Sequence, residues 1–176
     1  PFGERKVEPL ADWTVGYLGR VRDLKAFELL IEAVKTLPPA QRPKIRLAGD
    51  GTAASRVRAM LMDEVERGTL EAEVSGSFTQ SELPELLETV DVMYAMYAPL
   101  RGNILQGALP VKMFDAAAQG VPSVVNHDCL MGDVAVEEGL GTTAPWGDAN
   151  AIGEALLRVK ETVVELGATG ERERQR

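Results

Sequence analysis

Residues 110–122 read PVKMFDAAAQGVP, a stretch that predicts a short helix entered from a loop and ended by a glycine. Helical spacing gives this helix one small, apolar face made of Met113, Ala116, Ala117 and Gly120. Pro110 suits the first turn of a helix, and Gly120 suits the position just past its end. A helix with so small a face can lie close to a sheet, and its first unpaired amides then favour an anion such as a phosphate.

The sequence around this helix alternates between apolar, β-prone runs and stretches with helical spacing. The β-prone runs are WTVGYLG (13–19), KIRLAG (44–49), LEAEVSGS (70–77), DVMYAMY (91–97), PSVVNH (122–127) and GTTAPW (141–146). The helical stretches begin at Asp23, after Gly51, at Thr79, at Pro110, at Met131 and at Asp148. Six such units in 176 residues predict an α/β fold with a doubly wound, mostly parallel, six-stranded sheet.

Composition and charge limit the classes of partner. The chain is 45% hydrophobic and long enough for one sizeable core. Its net charge of -8 argues against a nucleic-acid partner or a general anionic-membrane surface, so any positive site must be local. The single cysteine, Cys129, excludes an internal disulfide, and no apolar run approaches the roughly 18 residues of a membrane span. We expect a cytoplasmic setting, and peripheral association of the parent protein with a membrane stays open.

The domain boundaries follow from the same patterns. Residues 1–12 form a charged lead-in, residues 13–168 form the α/β domain, and residues 169–176 form a charged tail. The chain begins without an initiator methionine or a signal peptide, so we expect it to be a piece of a longer protein.

The predicted topology places the functional site at one edge of the sheet. Ligands of doubly wound sheets bind beyond the carboxyl ends of the strands, which here selects Gly19-Arg20, Gly49-Asp50-Gly51, Gly76-Ser77-Phe78 and the 98–112 loop. Arg20 and Lys25 can both project from this edge towards the phosphates of a ligand, although a solvated pair is the alternative. Arg22 adds a third cation that opposes the helix dipole, a mild cost that phosphate binding would explain.

Other patterns in the sequence support different chemistry only weakly. GDGTAA (49–54) fits a dinucleotide fingerprint, but the acidic residue expected about 20 positions later is absent, so we interpret it as a tight turn near the ligand. Residues 127–129 read His-Asp-Cys, which does not make a closed metal shell, and we expect no metal. No nucleophile elbow is present. We interpret three residues as strand packing, Tyr94, Met96 and Tyr97.

Five blocks of the sequence resemble, in one collinear order, the C-terminal domain of family 4 glycosyltransferases of the GT-B fold. The blocks are GYLGRVRDLKAFELLIEAV, IRLAGDGTAASRVRAML, VSGSFTQSELPELLETVDVMYAMY, PVKMFDAAAQGVPSVVN and GLGTTAPWGDANAIGEALL, and together they cover about residues 14–160. The resemblance implies a Rossmann-like half that binds a nucleoside diphosphate sugar donor without a metal. It also implies a separate N-terminal half for the acceptor, which this chain lacks, and retention of anomeric configuration.

The resemblance implies roles for individual residues. Arg20 and Lys25 match the Arg and Lys that contact the donor diphosphate, so they would act in catalysis by stabilising the leaving group. Backbone groups just past the third strand would meet the nucleobase. The full candidate donor-binding set is Gly19, Arg20, Lys25, Gly49, Ser77, Phe78, Thr79, Asn103, Lys112 and Asp115.

The helix of residues 110–122 matches the family motif only in part. Asp115 stands where the family has a Glu that binds the ribose hydroxyls, although its alternative role is to stabilise the helix N-terminus. Gly107 stands where the family often has a second Glu. The Pro-Val-Lys sequence before the helix resembles one branch of the family, which makes Lys112 a candidate for the donor phosphate or sugar, against a solvated lysine.

The sequence therefore predicts a hexosyltransferase-type glycosyltransferase fragment that is inactive without its N-terminal domain. Two alternatives from other classes remain. A sugar-nucleotide epimerase of the same fold would need acid and base groups that are hard to find on these loops. A non-catalytic α/β nucleotide-binding module would leave Arg20 and Lys25 as ordinary surface residues.

Overall fold

The structure, a computed structural model, describes residues 13–99 and 111–174. Six strands are present in these residues, namely β1 (Thr14–Leu18), β2 (Lys44–Ala48), β3 (Ala72–Ser75), β4 (Val92–Ala95), β5 (Ser123–Asn126) and β6 (Gly141–Ala144). The α-helices are α1 (Leu24–Lys35), α2 (Ala54–Glu66), α3 (Leu83–Glu88), α4 (Val111–Ala118), α5 (Leu130–Glu137) and α6 (Ala149–Arg174). Single 3-10 turns lie at Pro39–Gln41 and Gln80–Glu82.

The six strands form one parallel sheet in the order β3-β2-β1-β4-β5-β6. Leu18 lies opposite Ala48, and Ala48 lies opposite Ser75, so β1, β2 and β3 end on one line. The strand order changes direction between β1 and β4, which makes their carboxyl ends the switch point. The predicted doubly wound, six-stranded α/β fold is confirmed, and all of its strand pairs are parallel.

Alternate residues of the strands supply two hydrophobic faces. Val15, Tyr17 and Leu47 point to the face that α1, α2 and α6 cover. Leu18 and Met93 point to the other face, where they pack with residues of α3 and α4. A third cluster joins β4 and β5 to α4 and α5, through Ala95, Met113, Val125, Met131 and Ala135. The described helices therefore cover both faces of the sheet.

Local sequence signals explain where the helices begin. Asp23 caps α1, because its Oδ1 accepts a hydrogen bond from the Lys25 amide at 3.1 Å. Asp148 caps α6 in the same way, by accepting from the Ala151 amide at 3.0 Å. The backbone of α6 is helical to Arg174, and the boundary between domain and charged tail stays a prediction.

The small helix that the sequence singled out is α4. Its residues Met113 and Ala116 are fully buried, and Gly120 follows its end with a φ of 75°. Pro110, the predicted first-turn residue, lies outside the described residues. Within the described part of the chain, no helix combines the length and the apolar composition that a bilayer crossing requires.

Candidate functional site

The carboxyl ends of β1, β2 and β3 border a cleft of about 710 Å³. Its lining comes from three loops, residues 19–20, 49–52 and 77–78. Five predicted donor-site residues lie on these loops: Gly19, Arg20, Gly49, Ser77 and Phe78. The structure therefore brings together the loops that follow three successive strands, at the edge that the topology predicted.

Backbone hydrogen bonds join the first two loops into one rigid rim. The Val21 amide donates to the Asp50 carbonyl at 3.1 Å, and the Ala53 amide donates to the Val21 carbonyl at 3.0 Å. Gly51 has a φ of 158°, and a β-carbon there would lie 2.4 Å from the Val21 carbonyl oxygen. The glycines of GDGTAA thus allow the second loop to lie directly on the first, as the interpretation as a tight turn requires.

Three exposed cations surround the start of α1: Arg20, Arg22 and Lys25. None of them forms an ion pair with another described side chain. Arg20 borders the cleft directly, whereas Lys25, the second residue of α1, does not. In a chain with a net charge of -8, these three side chains form a local group of positive charge at this edge of the sheet.

The loop after β3 forms the far wall of the cleft. Ser77 is exposed, while Phe78 is partly buried and packs against the core beneath α3. Phe78 therefore belongs both to the core and to the wall of the cleft. Thr79 does not border the cleft. Its amide and hydroxyl donate to Glu82 Oε1 at 3.3 and 2.9 Å, in a capping box at the start of the 3-10 turn.

The remaining candidates belong to α4 and to the residues before it. A helix that joins two adjacent parallel strands runs back along the sheet, so α4 begins at the same edge as the cleft. Asp115 is half-buried on this helix, and Lys112 is its second residue. Asn103 and Gly107 lie outside the described residues.

Sequence reasoning missed one polar side chain that fixes this edge. Asn126, which is 2% exposed at the end of β5, accepts from the Tyr97 amide at 2.8 Å through Oδ1 and donates to the Tyr97 carbonyl at 2.7 Å through Nδ2. This pair of bonds holds the chain where it leaves β4. The available signal was an amide side chain at the end of the predicted strand, directly after the apolar pair Val124-Val125.

The segment after β5 has no arrangement suited to a metal. His127 Nε2 lies 3.1 Å from Asp128 Oδ2, and both side chains are largely exposed. The Cys129 thiol instead donates to the Asn126 carbonyl at 3.4 Å. Among the described residues, no three His, Cys, Asp or Glu side chains lie close enough to hold an ion.

Comparison with solved structures finds chains of similar fold. The catalytic domain of cholesterol-alpha-glucosyltransferase from Helicobacter pylori matches at 16% identity and a TM-score of 0.62, over 92% of this chain and 98% of that one. HepE of Anabaena, in complex with UDP and glucose, matches at 17% identity and a TM-score of 0.63, over 92% of this chain and 44% of HepE. Sucrose-phosphate synthase from Thermosynechococcus elongatus matches at 20% identity and a TM-score of 0.66, over 88% of this chain and 39% of the synthase.

These identities establish the fold alone, and the chain spans less than half the length of HepE and of the synthase. No curated protein matches the chain. A family model described as "Glycosyl transferases group 1" matches residues 12–161, which is most of the sequence and nearly the whole described domain. This match confirms the resemblance on which the donor-site assignments depend: the chain belongs to the group 1 glycosyltransferases.

Proposed function

We propose that this chain is the donor-binding half of a retaining glycosyltransferase. It binds a nucleoside diphosphate sugar, and the sugar passes to an acceptor held by a second, N-terminal domain. The observation that carries the proposal is the position of Arg20, an exposed guanidinium that has no described ion-pair partner and borders a glycine-lined cleft at the switch point. Glycines admit the backbone of a loop close to a diphosphate, and a guanidinium matches phosphate oxygens in geometry.

The chemical task is to stabilise the diphosphate as the bond between the sugar and its oxygen breaks. Negative charge grows on the leaving oxygen while the sugar ring gains oxocarbenium character. Arg20 and Lys25 would neutralise that charge. Lys112, at the start of α4, would contribute a third positive charge. The first amides of α4 also favour an anion at the same edge of the sheet, so the reaction needs no divalent metal.

The other candidate residues would hold the nucleoside. Ser77 and Phe78 would meet the base on the far wall of the cleft. Thr79, which does not border the cleft and whose amide and hydroxyl are engaged by Glu82, is left out of this contact. Gly19 and Gly49 would admit the diphosphate, and Asp115 would accept hydrogen bonds from the ribose hydroxyls. Asn103 completes the proposed set.

Calorimetric titration of the chain with UDP and with GDP, each with and without magnesium, tests the proposal. UDP is a suitable first probe because HepE, which has the same fold, was solved with UDP and glucose. We expect binding that does not depend on magnesium and that weakens about tenfold or more in Arg20→Ala, because a hydrogen bond to a charged group contributes about 1.5–3 kcal/mol.

Arg22→Ala is the matched control, because Arg22 is also exposed and lies two residues away but does not border the cleft. We expect it to bind nearly as well as the wild type. Equal losses of affinity in the two variants would mean that only the overall positive charge matters, which would contradict a diphosphate site at Arg20. Absence of binding both in this chain and in the full-length parent would reject the proposed function.

A further inference from the structure

Two tyrosine hydroxyls support the loop that carries Arg20 and Lys25. Tyr17 in β1 is 5% exposed, and its hydroxyl donates to the Arg20 carbonyl oxygen. Tyr94 in the neighbouring strand β4 is fully buried, and its hydroxyl donates to the Ala26 carbonyl oxygen at 2.8 Å. Both side chains rise from the face of the sheet that α1 covers. They therefore hold the two ends of the segment from Arg20 to Ala26.

The rest of this segment is held from the other side. The Gly19 amide donates to the Ala48 carbonyl at 2.9 Å, and Val21 bonds to the second loop through both its amide and its carbonyl. Asp23 accepts from the Lys25 amide at the start of α1. The backbone is thus anchored along its length, while the side chains of Arg20 and Lys25 remain exposed.

Packing alone does not explain the two hydroxyls. The Tyr17 ring packs edge to face on Phe27, with 4.7 Å between ring centroids, and a phenylalanine would make the same contact. A hydroxyl that is buried without a partner is costly, and each of these two hydroxyls has a backbone carbonyl as its partner. Burial, and then the nearby Asp23, raises the pKa of Tyr94, which keeps this hydroxyl protonated and donating.

We propose that Tyr17 and Tyr94 are positioning residues for the donor diphosphate, which they serve by fixing the loop that presents Arg20 and Lys25. Neither tyrosine touches the ligand. Ordering a loop on binding costs free energy and so lowers affinity. When the backbone that carries the cations is already fixed, the anion binds without that cost. This inference rests on the proposed function of the cleft.

Tyr17→Phe and Tyr94→Phe test the inference, because each removes one hydroxyl and keeps the ring. We expect each variant to bind UDP about five- to tenfold more weakly than the wild type, and to show faster hydrogen exchange at the amides of residues 21–26. Thr36→Ala is the control. It removes a hydroxyl that donates to the Ala33 carbonyl at 2.6 Å, at the far end of the same helix. It should lower the melting temperature without changing the UDP affinity.

Each outcome separates the two proposals. If the wild type binds UDP and the tyrosine variants bind equally well, the inference is wrong and the proposed function stands. Faster exchange in the loop with unchanged affinity would likewise reduce the hydroxyls to a structural role. If neither the wild-type chain nor its full-length parent binds a nucleoside diphosphate, the proposed function fails and the inference fails with it.

Discussion

Gly49 lies directly on the backbone of Gly19, so that a β-carbon on Gly49 would be 1.7 Å from the Gly19 carbonyl oxygen. The φ of Gly49 is 148°, which side chains rarely adopt. We expect Gly49→Ala to lower the free energy of unfolding by roughly 3 kcal/mol, because it combines backbone strain with overpacking. It should also weaken UDP binding, since the first two loops of the cleft must separate. Urea denaturation and calorimetric titration measure the two effects.

Gly76→Ala provides the control on the same edge of the sheet. A β-carbon on Gly76 meets nothing within 4 Å, and its φ is not in the range that favours glycine. We expect this variant to stay within about 1 kcal/mol of the wild type. If Gly49→Ala proved as stable as Gly76→Ala, the close contact between the first two loops would not determine the shape of the cleft.

Most of the fold was accessible from the sequence because its signals are local. The strand Val92–Ala95 is a short apolar run, and α1 begins at a capping aspartate. The helix predicted to begin at Thr79 was less accurate, since the structure has a 3-10 turn at Gln80–Glu82 and then the shorter α3. Pro84 lies in the first turn of α3, where a proline fits, and the residues before it form the 3-10 turn.

The site was accessible only at the level of loops. Topology selects the strand ends, so the sequence placed Arg20 and Gly49 at the same edge of the sheet, and both border one cleft. Periodicity does not show which carbonyl a distant side chain will meet. Tyr94 was correctly placed in strand packing, but its hydrogen bond to Ala26 joins residues 68 positions apart. The bonds from Asn126 to Tyr97 depend in the same way on strand pairing that no local pattern encodes.

The proposed ribose contact of Asp115 predicts a selective loss of affinity. A carboxylate that accepts hydrogen bonds from both ribose hydroxyls contributes only when those hydroxyls are present. We expect Asp115→Ala to bind UDP about tenfold more weakly than the wild type. The same substitution should barely change the affinity for the 2′,3′-dideoxy analogue of UDP. Calorimetric titration of both proteins with both ligands gives the interaction energy directly.

Asp133→Ala is the control for charge, because Asp133 is an exposed aspartate in the first turn of α5. It should bind both ligands as the wild type does. An equal loss for UDP and for the dideoxy analogue in Asp115→Ala would show that Asp115 acts on the helix N-terminus, the alternative that the sequence left open.

Glu64 predicts a stability difference that depends on pH. Its side chain is largely buried, accepts a hydrogen bond from the Thr69 hydroxyl and lies 3.2 Å from Lys35 Nζ. The Thr69 bond, and after it Lys35, outweighs burial and holds the pKa of Glu64 below its ordinary 4.5. The resulting stabilisation is complete above pH 4.5 and disappears as the pH falls through the lowered pKa of the folded state. In urea denaturation, Glu64→Gln should be about 1–2 kcal/mol less stable than the wild type at pH 7, and this difference should disappear in acid.

Glu66→Gln is the control, because Glu66 is exposed on the same helix, and it should be as stable as the wild type at both pH values. If Glu64→Gln remained less stable than the wild type in acid, the negative charge of Glu64 would not be the source of the difference.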